Sequence, residues 1–287
     1  MLVLEDRLIE LPGSAITGEN LGAMQASLPG FDDERVIRAM GSTKQRVFRV
    51  WHPDSSKLIW AAQERRARFE GLVRRLGGDP LAAPATFAKL STAWSEPARR
   101  YHDRQHLAEC LLLLDELRAQ AVDADLVELA LWFHDAVHVP GSKENEKQSA
   151  ELLLQEAARL GIDSARAATA AALVRWTEYR AKGTALPEGD AALVIDIDRS
   201  ILGSDPLRFL EYDCAIEEEH PGVHGGIFRA KRGRFLASML MRARIFQTEV
   251  AHARFEERAR TQIKGLLASP RYRPFRIARS LLRWPST

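Results

Sequence analysis

The stretch LVELALWFHDAVHVPG, residues 126–141, decides the reading of the chain. Its apolar residues Leu126, Leu129, Ala130, Phe133 and Val137 fall at helical spacing, which predicts a helix over 126–138 ended by Pro140-Gly141. A helix this apolar belongs in a core. It nevertheless closes on His134, Asp135 and His138, two imidazoles and a carboxylate. Burying such groups without partners costs several kcal/mol, so they need compensation. A bound cation compensates all three at once. Hydrogen bonds within the core, or solvent contact at the helix end, are the other solution.

Helical patterns continue on both sides. Upstream, residues 57–76 give a basic helical pattern punctuated by Gly77-Gly78-Asp79-Pro80, and 86–94 give a second. Pro97 suits the first turn of a third, which is predicted to run through Tyr101, His102 and His106 to about residue 119. Downstream, helices are predicted over 145–160, closed by Gly161, over 164–178, and over 190–202, closed by Gly203. Three more follow over 206–219, 228–246 and 250–267. No strand ladder and no internal repeat interrupt them, so the expected class is all-α, a helical bundle with irregular packing. Residues 1–63 read as an N-terminal extension, with candidate strands at 2–4 and 47–51 and a candidate short helix at 32–40. Residues 64–268 form the helical domain, and 269–287 a basic C-terminal tail; 270–287 hold five arginines and no acid.

Composition narrows the function classes. With 46% hydrophobic and 28% charged residues in 287, the chain is globular in type. No apolar run reaches the ~20 residues of a membrane span. Glu5, Asp6 and Glu10 make the N-terminus unlike a signal peptide. The two cysteines, Cys110 and Cys214, cannot build a disulfide framework, so free thiols in a reducing cytoplasm are expected. A net charge of +2 says little about nucleic acid, although the arginines of the tail, interleaved with Tyr272, Phe275 and Trp284, suit nucleic acid or an anionic membrane.

Three clusters carry metal-ligand residue types. His102 and His106 lie four apart, on one face if helical; so do His134 and His138, with Asp135 between; Asp196 and Asp198 end a third apolar run. Imidazoles with carboxylates suit a divalent ion among Mn, Fe, Zn, Ni, Co and Mg. HDRQH and HDAVH look like the zinc-protease pattern His-Glu-x-x-His with Asp for Glu, but the shorter acid and the duplication argue against a protease. Only one aspartate of the 196–198 pair can face an ion, because residues two apart on a helix point about 200° apart. Asp198, beside Ile197 and one turn from Ile201, lies at the edge of the buried stripe and is the expected ligand; Asp196 is left to cap a helix or to bond a ligand His. Glu146 is a further candidate to orient a ligand His, or a helix N-terminal charge. Arg99, Arg100, Lys143 and Arg232 are candidate phosphate contacts.

Four motifs in order resemble an uncharacterised branch of the HD superfamily of metal-dependent phosphohydrolases. They are SEPARRYHDRQH at 95–106, ALWFHDAV at 130–137, NEKQSA at 145–150 and DIDRSILG at 196–203. The resemblance covers roughly residues 64–268. It implies an HD-type bundle that hydrolyses a phosphoester, with a small phosphorylated molecule as substrate, a nucleotide among the candidates. Local similarity to the cyclic-nucleotide phosphodiesterases implies that His106, His134, Asp135 and a downstream Asp hold a metal. It also implies that Asp135 is the central, catalytic carboxylate and His102 a general acid; the Asp-x-x-aliphatic step of the superfamily is matched by Asp198. The chain departs from that branch in three places. His138 replaces a Tyr, Arg180 stands where a His three after Thr177 is expected, and an Arg-x-Glu-Tyr element reads EEEH at 217–220. His138 is therefore a possible additional ligand. These departures keep open an alternative to hydrolysis, an inactive metal- or ligand-binding module that contacts nucleic acid through the tail.

Overall fold

The computed structural model describes residues 62–178 and 187–281, together with three short strands, β1 Leu2–Leu4, β2 Arg7–Ile9 and β3 Phe48–Arg49. The candidate helix at 32–40 and Arg180 lie outside the described residues. The strands pair in the order β2-β1-β3, with β1 antiparallel to β2 and parallel to β3. The rest is helical: α1 Ala62–Arg75, α2 Ala83–Ala93, α3 Arg104–Leu117, α4 Ala124–Phe133, α5 Asn145–Arg159 and α6 Ser164–Trp176. Then follow α7 Gly189–Arg199, α8 Pro206–Glu218, α9 Gly225–Leu240, α10 Glu249–Ala268 and α11 Arg273–Leu281. The all-α class expected from the periodicity is what the chain adopts, and no described helix is long and apolar enough to cross a membrane.

Helix starts are set by side-chain acceptors. Asp103, Asp123, Asp163 and Asp205 each accept two backbone N–H bonds, at the starts of α3, α4, α6 and α8. Each satisfies donors that a helix start leaves open, worth about 1 kcal/mol. The cap at Asp103 changes one expectation. The segment after Pro97 is a run of turns, and α3 begins only at Arg104, so His102 and His106 do not share a helix.

The centre of the bundle is α4. From Leu126 to Phe133 every residue is buried, so this helix presents no solvent face. It packs against α1, α3, α5, α6 and α7. Full burial of each Leu, Trp or Phe contributes about 1.5–3 kcal/mol relative to exposure. Glu128 lies inside this run, and its carboxylate is bonded by Arg68, Arg75 and Arg118. Three guanidinium groups supply what burial removes from that charge. Helix α4 also ends earlier than the spacing predicts. Phe133 is its last residue, His134 is the C-cap, and 134–137 form a turn.

Helix α7 runs into a 3-10 turn, Ser200–Gly203, that lies against α10. A Cβ on Gly203 would sit 2.6 Å from both Cβ and the carbonyl oxygen of Phe255. Only glycine lets the two backbones approach this closely. That contact fixes the end of α7, on which Asp198 stands.

Candidate metal centre

Four side chains converge where α3, the turn after α4, and α7 meet. His106 comes from the first turn of α3, His134 and Asp135 from the turn, and Asp198 from the last turn of α7. The two Nε2 atoms of His106 and His134 are 3.1 Å apart. His134 Nε2 lies 3.1 Å from Asp135 Oδ2 and 3.7 Å from Asp198 Oδ1. His106 Nε2 lies 3.7 Å from Asp135 Oδ2 and 3.3 Å from Asp198 Oδ1. Donors about 2.0–2.2 Å from one ion are spaced about 3.0–3.6 Å from each other in tetrahedral or octahedral shells. Three of the five distances, at 3.1, 3.1 and 3.3 Å, fall in that range, the two at 3.7 Å lie just above it, and all four donor atoms lie within 4.8 Å of one another. The grouping brings together the four residues expected as ligands, His106, His134, Asp135 and Asp198.

The local structure aims the donors. The Nδ1 of His134 is 2.8 Å from the carbonyl oxygen of Leu131, which can only accept. Nδ1 therefore carries a hydrogen, and Nε2 is the ring nitrogen turned to the centre, free to coordinate once a cation displaces its proton. The imidazoles are 2% and 1% exposed while Asp135 and Asp198 are 14% and 22%, so the rings form the floor and the carboxylates the rim. Trp94 closes one side, its ring 5.4 Å from that of His134 and its indole N–H donating to Trp132 O. Tyr101 closes another, 4.6 Å from His106.

Electrostatics match a cation site. Burial disfavours an imidazolium at His134, yet the neighbouring Asp135 and Asp198 carboxylates outweigh it and push its pKa up to about 9. Burial likewise opposes ionisation of Asp135, but the His134 and His102 charges hold it well below the usual carboxylate range. Asp198 is lowered too, against burial, by its bond to His106 and the charge of His134. Both acids remain carboxylates and draw positive charge to the centre. Burial pushes the Cys110 thiol well up, as do Asp198 and Glu109, so the sulfur stays protonated. It lies 3.8 Å from His106 Nδ1, one turn along α3, and forms a third buried grouping with His106 and His134. Both cysteines are free, as expected.

Beside this centre is a second arrangement. His102 Nδ1 is 2.6 Å from Glu219 Oε2, while Glu219 Oε1 accepts the backbone N–H of Arg100, Tyr101 and His102. Despite burial, these bonds hold Glu219 far below the usual carboxylate range. His138 stacks on His102 with ring centres 4.0 Å apart, and its Nε2 is 3.4 Å from the same Glu219 oxygen. His102, Asp135 and His138 form a further grouping with ligand reach, so Asp135 is common to both.

Other sequence candidates separate here. Asp196 faces away from the cluster and accepts Gln247 N, Thr248 N and the Thr248 hydroxyl, anchoring the start of α10. Glu146 is half-buried in the first turn of α5; burial and the charges of Asp135, Glu178 and Asp198 raise its pKa, and it is not among the clustered ligand atoms. Arg99 is a buried clamp. Its guanidinium donates to the carbonyls of His102, Asp135 and Ala136, joining the two turns of the site. Arg232 is buried 3.8 Å from Asp213, Arg100 lies 3.8 Å from Glu218, and Lys143 is exposed.

Three functional positions were missed in the sequence. Glu219 is the acid of the EEEH run, at the place the Arg-x-Glu-Tyr element gives to Glu. Asn145 and Ser149 belong to the NEKQSA run. Asn145 bonds both backbone groups of Val139, and Ser149 bonds both of Val137, which holds the chain that leaves the Asp135 turn.

Among known proteins, no family model, no curated protein and no solved structure matches the chain. The four motif runs named in the sequence are at 95–106, 130–137, 145–150 and 196–203. All four contribute to this one place in the fold, as donors, as clamps or as close-packing residues.

Proposed function

We propose that the protein is a metal-dependent phosphohydrolase acting on a small phosphoester, with a nucleotide as the leading substrate class. The observation that supports this reading is the convergence of two imidazole nitrogens and two carboxylates at coordination spacing. A divalent ion bound there would polarise a phosphoryl oxygen and lower the pKa of a water. Two imidazoles in the set favour Mn, Fe, Co, Ni or Zn over Mg, which prefers oxygen donors.

The chain's own residues take the remaining roles. Asp135 is the central carboxylate, shared by both groupings. His102 serves as proton donor to the leaving oxygen. Its Nδ1 is engaged by Glu219, which stabilises the imidazolium and leaves Nε2 to transfer the proton. Trp94 and Tyr101 keep solvent from the ring side of His134 and His106.

One observation favours the second reading, a non-catalytic metal- or ligand-binding module. His138 stacks on His102 with its Nε2 3.4 Å from the Glu219 oxygen that His102 bonds at 2.6 Å, so a second imidazole crowds the position of the proposed acid. Elemental analysis of the purified protein, followed by phosphate release from nucleotides and simple phosphoesters with added Mn, Co, Ni or Mg, separates the two. Turnover that needs metal and is lost in Asp198→Ala is expected. Bound metal without turnover of any phosphoester transfers the protein to the second reading. Absence of metal, with no stabilisation on adding it, removes the first reading and the metal-binding form of the second.

A further inference from the structure

Charge is divided unevenly along this chain. Residues 221–248 and 258–287 hold 14 of its 41 Lys and Arg and none of its 39 Asp and Glu. The remainder carries 27 basic residues (41 less 14) against all 39 acids, so a nearly neutral chain consists of two oppositely charged parts.

The acid-free segments meet in the fold. They supply α9, the later part of α10, and α11. Helices α9 and α11 pack together at Gly233, where a Cβ would lie 2.4 Å from Phe275 Cγ. Phe275 is thereby seated, and the start of α11 is pinned by two bonds to Asp213, from the Tyr272 hydroxyl at 2.5 Å and from Arg271 Nε at 2.9 Å.

On the outside, Ile227, Lys231, Arg234 and Met241 recur at the spacing of one face of α9, and all four are exposed. Exposed Arg273 and Arg276 accompany Ile277 on α11, which is 49% exposed. Of the eight large hydrophobic residues exposed among the described residues, four (Val223, Ile227, Met241 and Ile277) lie in these acid-free segments.

Glu217 of α8 is taken up by Arg229 and Arg271. Aliphatic tips set among the exposed cations Lys231, Arg234, Arg273 and Arg276, on segments with no carboxylate of their own, fit one kind of partner. The cations meet lipid phosphates while the apolar tips enter the headgroup boundary. Nucleic acid would call for exposed aromatic stacking platforms, and among the described residues the large apolar ones exposed here are aliphatic, with Trp284 outside them. A second copy of the same face would be repelled by like charge in a two-fold contact. We propose that the α9–α11 face docks the protein peripherally on an anionic lipid surface.

Co-sedimentation of the full chain with vesicles tests this. Binding is expected to phosphatidylcholine vesicles that contain phosphatidylserine, not to phosphatidylcholine alone, and it should fall as salt rises. Lys231→Gln should weaken it about fivefold. Ile227→Ser with Ile277→Ser should weaken it at unchanged charge, with melting temperatures checking that each variant folds; should the double variant misfold, the exposed Lys231 decides alone. Equal binding to both vesicle types, or binding to neither, overturns the proposal. So does preferential retention of a single-stranded oligonucleotide, or a loss confined to self-association.

Discussion

Asp196 and Asp198 stand two residues apart on α7 and face different neighbours. Asp198 meets His106 at 3.3 Å, while Asp196 is fully buried and holds the backbone at Gln247 and Thr248. Asp198→Ala should therefore abolish stoichiometric metal binding with little loss of stability. Asp196→Ala should keep the metal and cost about 3 kcal/mol, because buried N–H donors lose their acceptor. Elemental analysis beside denaturant unfolding reads both, and the reverse pattern would transfer the ligand role to Asp196. The helical angle between the two was legible in the sequence, and so were three clusters of metal-ligand residue types, because imidazoles and carboxylates in apolar runs demand partners. Selecting His106, His134, Asp135 and Asp198 from those clusters rested on the resemblance. Glu219 was not legible. It lies 117 positions from His102 within a run of three glutamates, and only the fold says which one is buried. His102→Ala should retain metal and lower turnover about 100-fold or more. Loss of metal equal to that of His106→Ala would make His102 a ligand instead.

At the scale of elements, periodicity found the helices of the body but misplaced two ends that matter. Apolar spacing continues past Phe133 through Val137, yet α4 stops at the turn that presents His134 and Asp135. Likewise the run from Pro97 looks continuous with α3, yet Asp103 caps the helix one residue after His102. The Asp103 cap is one side chain accepting two N–H bonds, worth about 1 kcal/mol, and it outweighs the weak preference of a few residues to continue the helix upstream. The irregular turns that result need support, and Arg99 provides it. One guanidinium reaches carbonyls of both turns, and its charge is met by Glu96. Arg99→Met should leave every ligand in place and weaken metal affinity about 10-fold or more, as losses of supporting groups around metal ligands do. Arg99→Lys should not restore it, since an ammonium cannot span three carbonyls as a planar fork does. Metal titration calorimetry measures both variants, and unchanged affinity in Arg99→Met would show that the turns hold themselves.

For the whole molecule, the class was legible because helical patterns fill the chain from residue 62 onward, whereas the arrangement was not. Nothing in the tail's sequence distinguishes an arginine-rich appendage from a docked element; Tyr272 and Phe275 are buried members of the core because α8 and α9 present Asp213 and Gly233 to them. The centre has the same long-range character. It joins α3, the turn after α4, and α7, so a cation bound there ties together three segments that are far apart in the chain. Without one, two carboxylates face two imidazoles, and His134 gathers a proton to offset them. Binding to the folded state alone stabilises it by about 2.7 kcal/mol at a free metal concentration 100-fold above Kd. For a chain of this size that corresponds to a rise of about 5 °C in Tm. Melting the chelator-treated protein with and without Mn, Co, Ni or Zn should show that rise. Asp196→Ala should melt lower but keep the increment, and Asp198→Ala should lose it. An equal increment in Asp198→Ala would place the stabilising ion outside the α3–α4–α7 junction, because no other pair of described carboxylates is grouped with His106 and His134.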